Sequence, residues 1–170
     1  KTREGAESPY DKNSIFGGGP PPRFEAVILD KRGLVDRDKT WSCRRPPWGN
    51  LTAVNASTGE FAWRVPLGVT DELPEGKKNT GRYNMGGPIV TAGGLVFIGA
   101  TNDHRFRAFD SKTGRMLWES KLAMSAHAIP MTFTGKSGKQ YVAITAGGAS
   151  ALDDPAPEGS EELMVFGLDR

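Results

Sequence analysis

The stretch LTAVNASTGEFAW, residues 51–63, returns 55 residues later as FRAFDSKTGRMLW, residues 106–118. Between residues 51 and 67, five positions are identical at that offset, whereas average residue usage gives roughly one by chance. The match needs no gap, and the changes elsewhere are mild, such as Asn55 to Asp110. The chain therefore contains an internal structural repeat.

Each copy of the repeat is typical of a β-hairpin. The first apolar run ends at Asn55 or Asp110, whose short side chain can bond the backbone ahead and begin a turn. Gly59 or Gly114 then supplies the positive φ that a hairpin loop of this length needs. A second run carries the tryptophan at a constant distance from that glycine, so both indoles are predicted on the same face.

A second hairpin pattern accompanies the first one. Residues 88–98 are typical of a strand, a Gly-Gly turn and a strand, and residues 130–144 repeat this order with a longer loop. The two patterns together make a unit of four antiparallel strands, which at this spacing is the sequence mark of a propeller blade. The predicted fold is therefore all-β, built from antiparallel four-stranded blades of a β-propeller. We interpret Trp63 and Trp118 as clamps between neighbouring blades.

The predicted blades do not make a closed ring. Residues 24–67 predict part of one blade, 87–122 a whole blade and 127–168 three strands of another. This amounts to about two and a half blades, whereas a propeller typically closes with four to eight. We therefore expect an incomplete piece: a turn-rich segment at residues 1–23, then the C-terminal blades of a larger propeller at 24–170.

Composition excludes several classes of protein. The chain has 22 Lys and Arg against 20 Asp and Glu, a net charge of +2, which offers no electrostatic footprint for nucleic acid. No apolar run approaches the 18 to 20 residues of a membrane-spanning helix, so no transmembrane segment is predicted. The single cysteine, Cys43, excludes an internal disulfide and a zinc site built from several cysteines.

The segment from Asn84 to Pro88 is the strongest candidate for a binding site. Its paired glycines precede the first strand of a predicted blade, where they would let a flat ligand approach the backbone closely. A tight turn before a strand explains the same glycines equally well. The two histidines, His104 and His127, lie in different repeat units without a spaced partner, so we interpret them as polar loop residues.

Several stretches together resemble the C-terminal part of the pyrroloquinoline quinone (PQQ)-dependent dehydrogenases, in particular the membrane glucose dehydrogenase-like branch. The matching stretches are residues 46–54, 86–101, 106–110, 130–132 and 138–148. The resemblance implies an eight-bladed quinoprotein propeller that holds PQQ near its axis beside a calcium or lanthanide ion. It also implies a periplasmic enzyme that oxidises a sugar or alcohol and passes electrons to a quinone or cytochrome.

The resemblance also implies which residues touch the cofactor. The family positions that lie against the quinone match Met85 and Gly86, and methionine at the first of them favours the sugar-oxidising branch. The family's catalytic Asp and its metal ligands have no match in these 170 residues. We therefore predict no catalytic or metal-binding residue in this chain, no PQQ or metal held by it alone, and no activity in isolation.

Two further expectations complete the sequence-based picture. The partners would be the remaining blades of the parent chain, and exposed strand edges would allow self-association. The alternative to a quinoprotein is a non-catalytic propeller, such as a scaffold of outer-membrane assembly, which shares the tryptophan repeat. The segment from Asn84 to Pro88 discriminates between them, because a scaffold has no reason to place paired glycines at the axis.

Overall fold

The structure, a computed structural model, describes residues 45–148 and 161–167, together with the backbone of residues 25–26 and 41–42. The chain divides into two compact units, Lys1–Arg45 and Pro46–Arg170. In the first unit, strand β1 (Glu25–Ala26) pairs antiparallel with β2 (Trp41–Ser42). The predicted boundary between residues 23 and 24 and Cys43 lie outside the described residues.

The second unit contains three antiparallel sheets that follow one another along the chain and have two, four and three strands. Their strands are β3 (Asn50–Val54) and β4 (Phe61–Pro66); β5 (Ile89–Val90), β6 (Leu95–Ile98), β7 (Arg105–Asp110) and β8 (Met116–Lys121); and β9 (Met131–Thr134), β10 (Gln140–Ala146) and β11 (Glu162–Gly167). We call these sheets blade 1, blade 2 and blade 3. Each pairs strands that follow one another in sequence, so the complete blade predicted at 87–122 and the three strands predicted at 127–168 are confirmed. Of the partial blade predicted at 24–67, blade 1 contains the hairpin β3–β4, whereas β1 and β2 pair with each other in the first unit.

The two copies of the repeat fold alike down to their turns. The Oδ1 atom of Asn55 accepts hydrogen bonds from the backbone N–H groups of residues 57 and 58, at 2.9 and 3.3 Å. Asp110 Oδ1 accepts the equivalent bonds from residues 112 and 113, at 3.0 and 2.8 Å, and a bond from the Thr113 hydroxyl at 2.9 Å. The bond from the Thr113 hydroxyl, together with the backbone bonds, lowers the pKa of the Asp110 carboxyl. Gly59 and Gly114 have φ of 75° and 70°. Both hairpins shift register after the alanine, at Ala53 and Ala108.

The blades stack face to face, with an apolar core on either side of blade 2. Toward blade 1, Leu51 and Leu67 pack with Val96, Ile98 and Phe109. Toward blade 3, the buried side chains come from both sheets and from the connection between them: Phe106, Leu122, Met124, Val142 and Ile144. Strand side chains alternate in direction, so blade 2 contributes different residues of the same strand to the two cores.

Trp63 connects blade 1 to blade 2 as predicted. Its Nε1 donates a hydrogen bond of 2.9 Å to the backbone carbonyl of Ser111, in the turn of the next copy. Its six-membered ring lies against Gly114, where a Cβ would come within 2.6 Å of the indole. Trp118 likewise contacts the next blade, since its ring lies 5.0 Å from that of Phe166 in blade 3.

The antiparallel order places the connections at two opposite ends of the blades. Hairpin turns, such as residues 55–60 and 111–115, lie at one end. The connections between blades, and the loop between β6 and β7, lie at the other. The segment carrying Met85 and Gly86 belongs to this second end. In the part of the chain that the structure describes, no helix is long and apolar enough to cross a membrane.

Candidate functional site

The pre-β5 segment, residues 83–87, contains both predicted cofactor positions. It runs antiparallel to residues 100–102, which follow β6: Met85 N–H donates to the Ala100 carbonyl at 2.8 Å. Asn84 forms an isolated bridge with Thr101, and the N–H of Asn102 donates to the Tyr83 carbonyl at 3.3 Å. The Met85 side chain is half-buried and Gly86 is exposed. Blade 2 itself thus holds the backbone from Tyr83 to the Met85 N–H.

Gly86 and Gly87 are glycines for different structural reasons. Gly86 has a φ of 122°, which favours glycine, and a Cβ there would lie 2.5 Å from the carbonyl oxygen of His127. The packing of blade 3 against blade 2 therefore requires a glycine at this position. At Gly87 a Cβ would meet only the Ile129 side chain, at 3.5 Å, which is ordinary contact. The protein leaves room for a side chain at Gly87 and yet has none.

The peptide between Met85 and Gly86 leaves a hydrogen-bond donor exposed. The Gly86 N–H donates to no other described residue. This peptide is trans, so the Gly86 N–H points opposite to the Met85 carbonyl, which faces His127. An exposed, rigidly held backbone N–H beside a glycine suits an acceptor oxygen on a flat ligand, such as a quinone carbonyl or carboxylate. The residues present therefore fit a PQQ ring at this edge.

His127 is the side chain that joins blade 3 to this peptide. Its Nδ1 lies 3.1 Å from the carbonyl oxygens of both Met85 and Ala100. The N–H of Ala100 in turn donates to the Ala126 carbonyl at 2.6 Å. The sequence-based interpretation of His127 as a polar loop residue missed this role, because the contact joins residues 42 apart in the chain.

A buried network of charges lies near the pre-β5 segment, and sequence reasoning did not find it. Arg107 pairs with Asp103, and both side chains are almost fully buried. Arg107 also donates to Glu119 at 2.9 Å and to the Thr101 hydroxyl at 3.1 Å. Two arginines at alternate positions of an apolar strand, Arg105 and Arg107, are the only sequence signal of it. A charged residue in a strand is more often exposed.

This network fastens the connection between blades 1 and 2. Asp103 accepts the Val69 N–H at 2.8 Å, and Arg105 binds Asp71 at 2.8 Å and Glu119 at 3.0 Å. Burial opposes ionisation of Asp103, but its bonds to Arg107 and the nearby positive charge prevail, so its pKa is lowered. Hydrogen bonding to Arg105 likewise lowers the pKa of Asp71. The connection that leads into the pre-β5 segment is therefore held in place by ionised groups.

The structure brings Met85, Gly86 and His127 together, whereas His104 lies in the loop between β6 and β7. Its carbonyl accepts the Leu122 N–H at 2.8 Å, which is a structural role. Among residues 45–148 and 161–167, no group of three or more His, Cys, Asp or Glu side chains is placed to hold a metal ion. The cofactor-binding roles of Met85 and Gly86 stay predictions at this point.

Comparison with known proteins identifies the family. Residues 2–142 match the PQQ family model, described as the β-propeller domain of glucose, ethanol and alcohol dehydrogenases. The chain belongs to this family. Its membership confirms the quinoprotein β-propeller that the sequence predicted, and selects the dehydrogenases over the scaffold class that was the alternative.

Three similar proteins are named as dehydrogenases. The chain is 38% identical over 135 residues to the quinate/shikimate dehydrogenase (quinone) of Acinetobacter baylyi, covering 75% of this chain and 16% of the relative. It is 41% identical over 170 residues to the glycerol dehydrogenase large subunit of Gluconobacter thailandicus, covering 93% and 22%. The quinoprotein glucose dehydrogenase of Escherichia coli is 39% identical over 112 residues, covering 62% and 14%. The chain thus spans less than a quarter of the length of these relatives.

Proposed function

We propose that this chain is the C-terminal part of a periplasmic quinoprotein dehydrogenase that oxidises a sugar or another polyol with PQQ. The three relatives are named for quinate or shikimate, glycerol and glucose, all of which carry several hydroxyl groups. Electrons would pass to a quinone or a cytochrome. The family's metal ion, calcium or a lanthanide, would be held by residues of the longer protein outside this chain.

The observation that supports this function best is the exposed edge at Met85, Gly86 and Gly87. When bound, PQQ supplies the two-electron acceptor for oxidation of the substrate carbon. The residues of this chain would bind and orient it: the Gly86 N–H as a donor, Gly87 by the absence of a side chain, and Met85 by apolar contact. Hydrogen bonds from blade 2 hold this edge, so little reorganisation is needed on binding.

The same proposal assigns partners to the unpaired strand edges of this chain. Among the described residues, the outer edge of β11 and the outer edge of β3 have no neighbouring strand. In the longer protein these edges would pair with the strands that complete blades 1 and 3, and the remaining blades would cover the exposed blade faces. The chain alone would self-associate through them, because an unpaired edge is a template for another strand. Light scattering of the isolated chain showing only a monomer would contradict this assignment.

Activity of the full-length protein tests the function. We expect it to reduce an artificial dye with glucose, glycerol or quinate after loading with PQQ and calcium. The isolated 170-residue chain, treated in the same way, should give no turnover above a control without protein. Failure of the loaded full-length protein on every polyol would refute the proposed function. Turnover by the isolated chain would refute its assignment as an incomplete part.

A further inference from the structure

We propose that His127 is a positioning residue for the cofactor: it orients the Met85–Gly86 peptide so that the Gly86 N–H faces the quinone. This inference rests on the proposed function. It goes beyond it by assigning a role to a side chain of the following blade, and that side chain would act through the peptide without touching the cofactor.

The two contacts of His127 fix the position of its proton. Nδ1 lies 3.1 Å from two carbonyl oxygens, those of Met85 and Ala100, and a carbonyl oxygen can only accept. Nδ1 must therefore carry a hydrogen and share it between both acceptors. The Ala100 oxygen also accepts the Met85 N–H, at 2.8 Å. One imidazole N–H thus draws together the carbonyl of Met85 and the strand that already pairs with it.

Holding the Met85 carbonyl determines the direction of the next N–H. In a trans peptide the C=O and N–H groups point in opposite directions, so the Gly86 N–H is turned away from His127. Gly86 by itself would allow this peptide to rotate, since glycine has few steric restrictions. The hydrogen bond from His127 removes that freedom at the position where a ligand oxygen would bind. Removing it would leave an acceptor unpaired and the donor poorly oriented.

The comparison between blades shows that His127 is not required by the blade itself. Aligning Pro88 with Pro130, each just before the first strand of its blade, places His127 at the position of Met85. The neighbouring positions carry Gly86 and Gly87 in blade 2 but alanine and isoleucine in blade 3. The two pre-strand segments therefore differ in a complementary way: one carries the bare backbone and the other carries the side chain that holds it.

Three substitutions in the full-length protein separate the hydrogen bond from the bulk of the ring. In His127→Asn the amide nitrogen takes the place of Nδ1 and keeps the donor. In His127→Gln the donor lies one bond farther out, and in His127→Ala it is lost. We would measure the Kd for PQQ by fluorescence titration of each apoprotein. Hydrogen exchange of a peptide covering residues 83–87, measured without PQQ, gives a second readout.

We expect His127→Gln and His127→Ala to raise the Kd by about threefold to tenfold, the equivalent of one hydrogen bond, and to speed exchange at residues 83–87. His127→Asn should stay close to the wild type in both measurements. Equal loss in Asn and Gln variants, or wild-type affinity in the Ala variant, would overturn the inference. A wild-type protein that binds no PQQ would instead refute the proposed function, and the exchange rates would still test the hydrogen bond.

Discussion

Blades 2 and 3 carry equivalent residues on the same face, with opposite exposure. Phe106 in β7 is 0% exposed, whereas its counterpart Leu163 in β11 is 68% exposed. Ala108 is 3% exposed and its counterpart Val165 is 47% exposed. In blade 2 this face packs against blade 3, and in blade 3 no described residue covers it. The burial of a blade face is thus supplied by the next blade, as in other repeat architectures.

The opposite face shows a second difference between the blades. Arg107 of β7 pairs across the sheet with Ile98, and the corresponding partner of Ile144 in β11 is Met164. Blade 2 therefore buries an arginine where blade 3 carries a partly buried methionine. The arginine is accompanied by Asp103 and Glu119, which fasten the connection leading to the pre-β5 segment. The buried arginine and its acidic partners thus occur in blade 2, which also carries the candidate site.

The largest loss of stability should come from replacing Arg107 of blade 2 with methionine, the residue at the corresponding position of blade 3. Arg107→Met leaves the carboxylate of Asp103 buried without its main counter-charge. We expect the free energy of unfolding of the full-length protein to fall by about 3 to 5 kcal/mol, the usual result of breaking a buried ion pair from one side. Denaturant unfolding followed by tryptophan fluorescence measures this.

A second substitution and a pH series serve as controls for that result. Adding Asp103→Ala to Arg107→Met should recover part of the lost stability, because no unpaired carboxylate remains. The pKa of Asp103 is lowered from its ordinary value of 3.8, so its contribution is present above that pH and is lost as the pH falls below it. Stability of the double variant should therefore fall less on acidification. Equal acid sensitivity would contradict the role of the pair.

The comparison of exposed faces predicts a loss of stability of similar size. Phe106→Ala should destabilise the protein by about 3 to 5 kcal/mol, since it creates a cavity between blades 2 and 3. If a further blade covers blade 3 in the full-length protein, Leu163→Ala should cost about 2 to 5 kcal/mol there. In the isolated chain, where this face is exposed, the same substitution should cost little. A near-zero cost of Leu163→Ala in the full-length protein would show that no blade follows.

A substitution at Gly87 tests the cofactor site without a large change in protein stability. Gly87→Ala introduces a methyl group that the protein can accommodate, so the melting temperature should change little. The Kd for PQQ should nevertheless rise by about tenfold or more, because a close-packed planar ring cannot move away from a filled position. Gly86→Ala is the matched variant, which should lower stability as well, given its φ and its contact with His127. Unchanged affinity in Gly87→Ala would exclude this edge from the site.

The smallest effect concerns the tryptophan clamps. Trp63→Phe keeps an aromatic ring but removes the donor to the Ser111 carbonyl, and should cost about 1 kcal/mol. Its PQQ affinity, corrected for the folded fraction, should stay unchanged, since the clamp lies at the hairpin-turn end of the blades. Trp118→Phe is the matched variant in the next copy. A similar cost there would indicate that its indole N–H has found an equivalent acceptor in blade 3.

Local sequence was sufficient for the parts of the fold that depend on neighbours in the chain. The turns at Asn55 and Asp110 and the glycines that end them were predicted, since their hydrogen bonds join residues two to four apart. The tryptophan clamp followed from its constant spacing. The candidate site was predicted only as a segment. The sequence singled out the paired glycines, but it did not show that packing requires a glycine at one of them and not at the other.

By itself, then, the sequence determined the repeat, the hairpins, the order of the blades and, through its resemblance to a family, the expected cofactor. The physical reason is that period, turn chemistry and strand pairing within a hairpin are local. Only the tertiary structure decided which charges are buried, that Gly86 is required by the His127 carbonyl while Gly87 is not, and that His127 holds the Met85 peptide. These contacts join different blades, and their geometry depends on how one blade packs against the next.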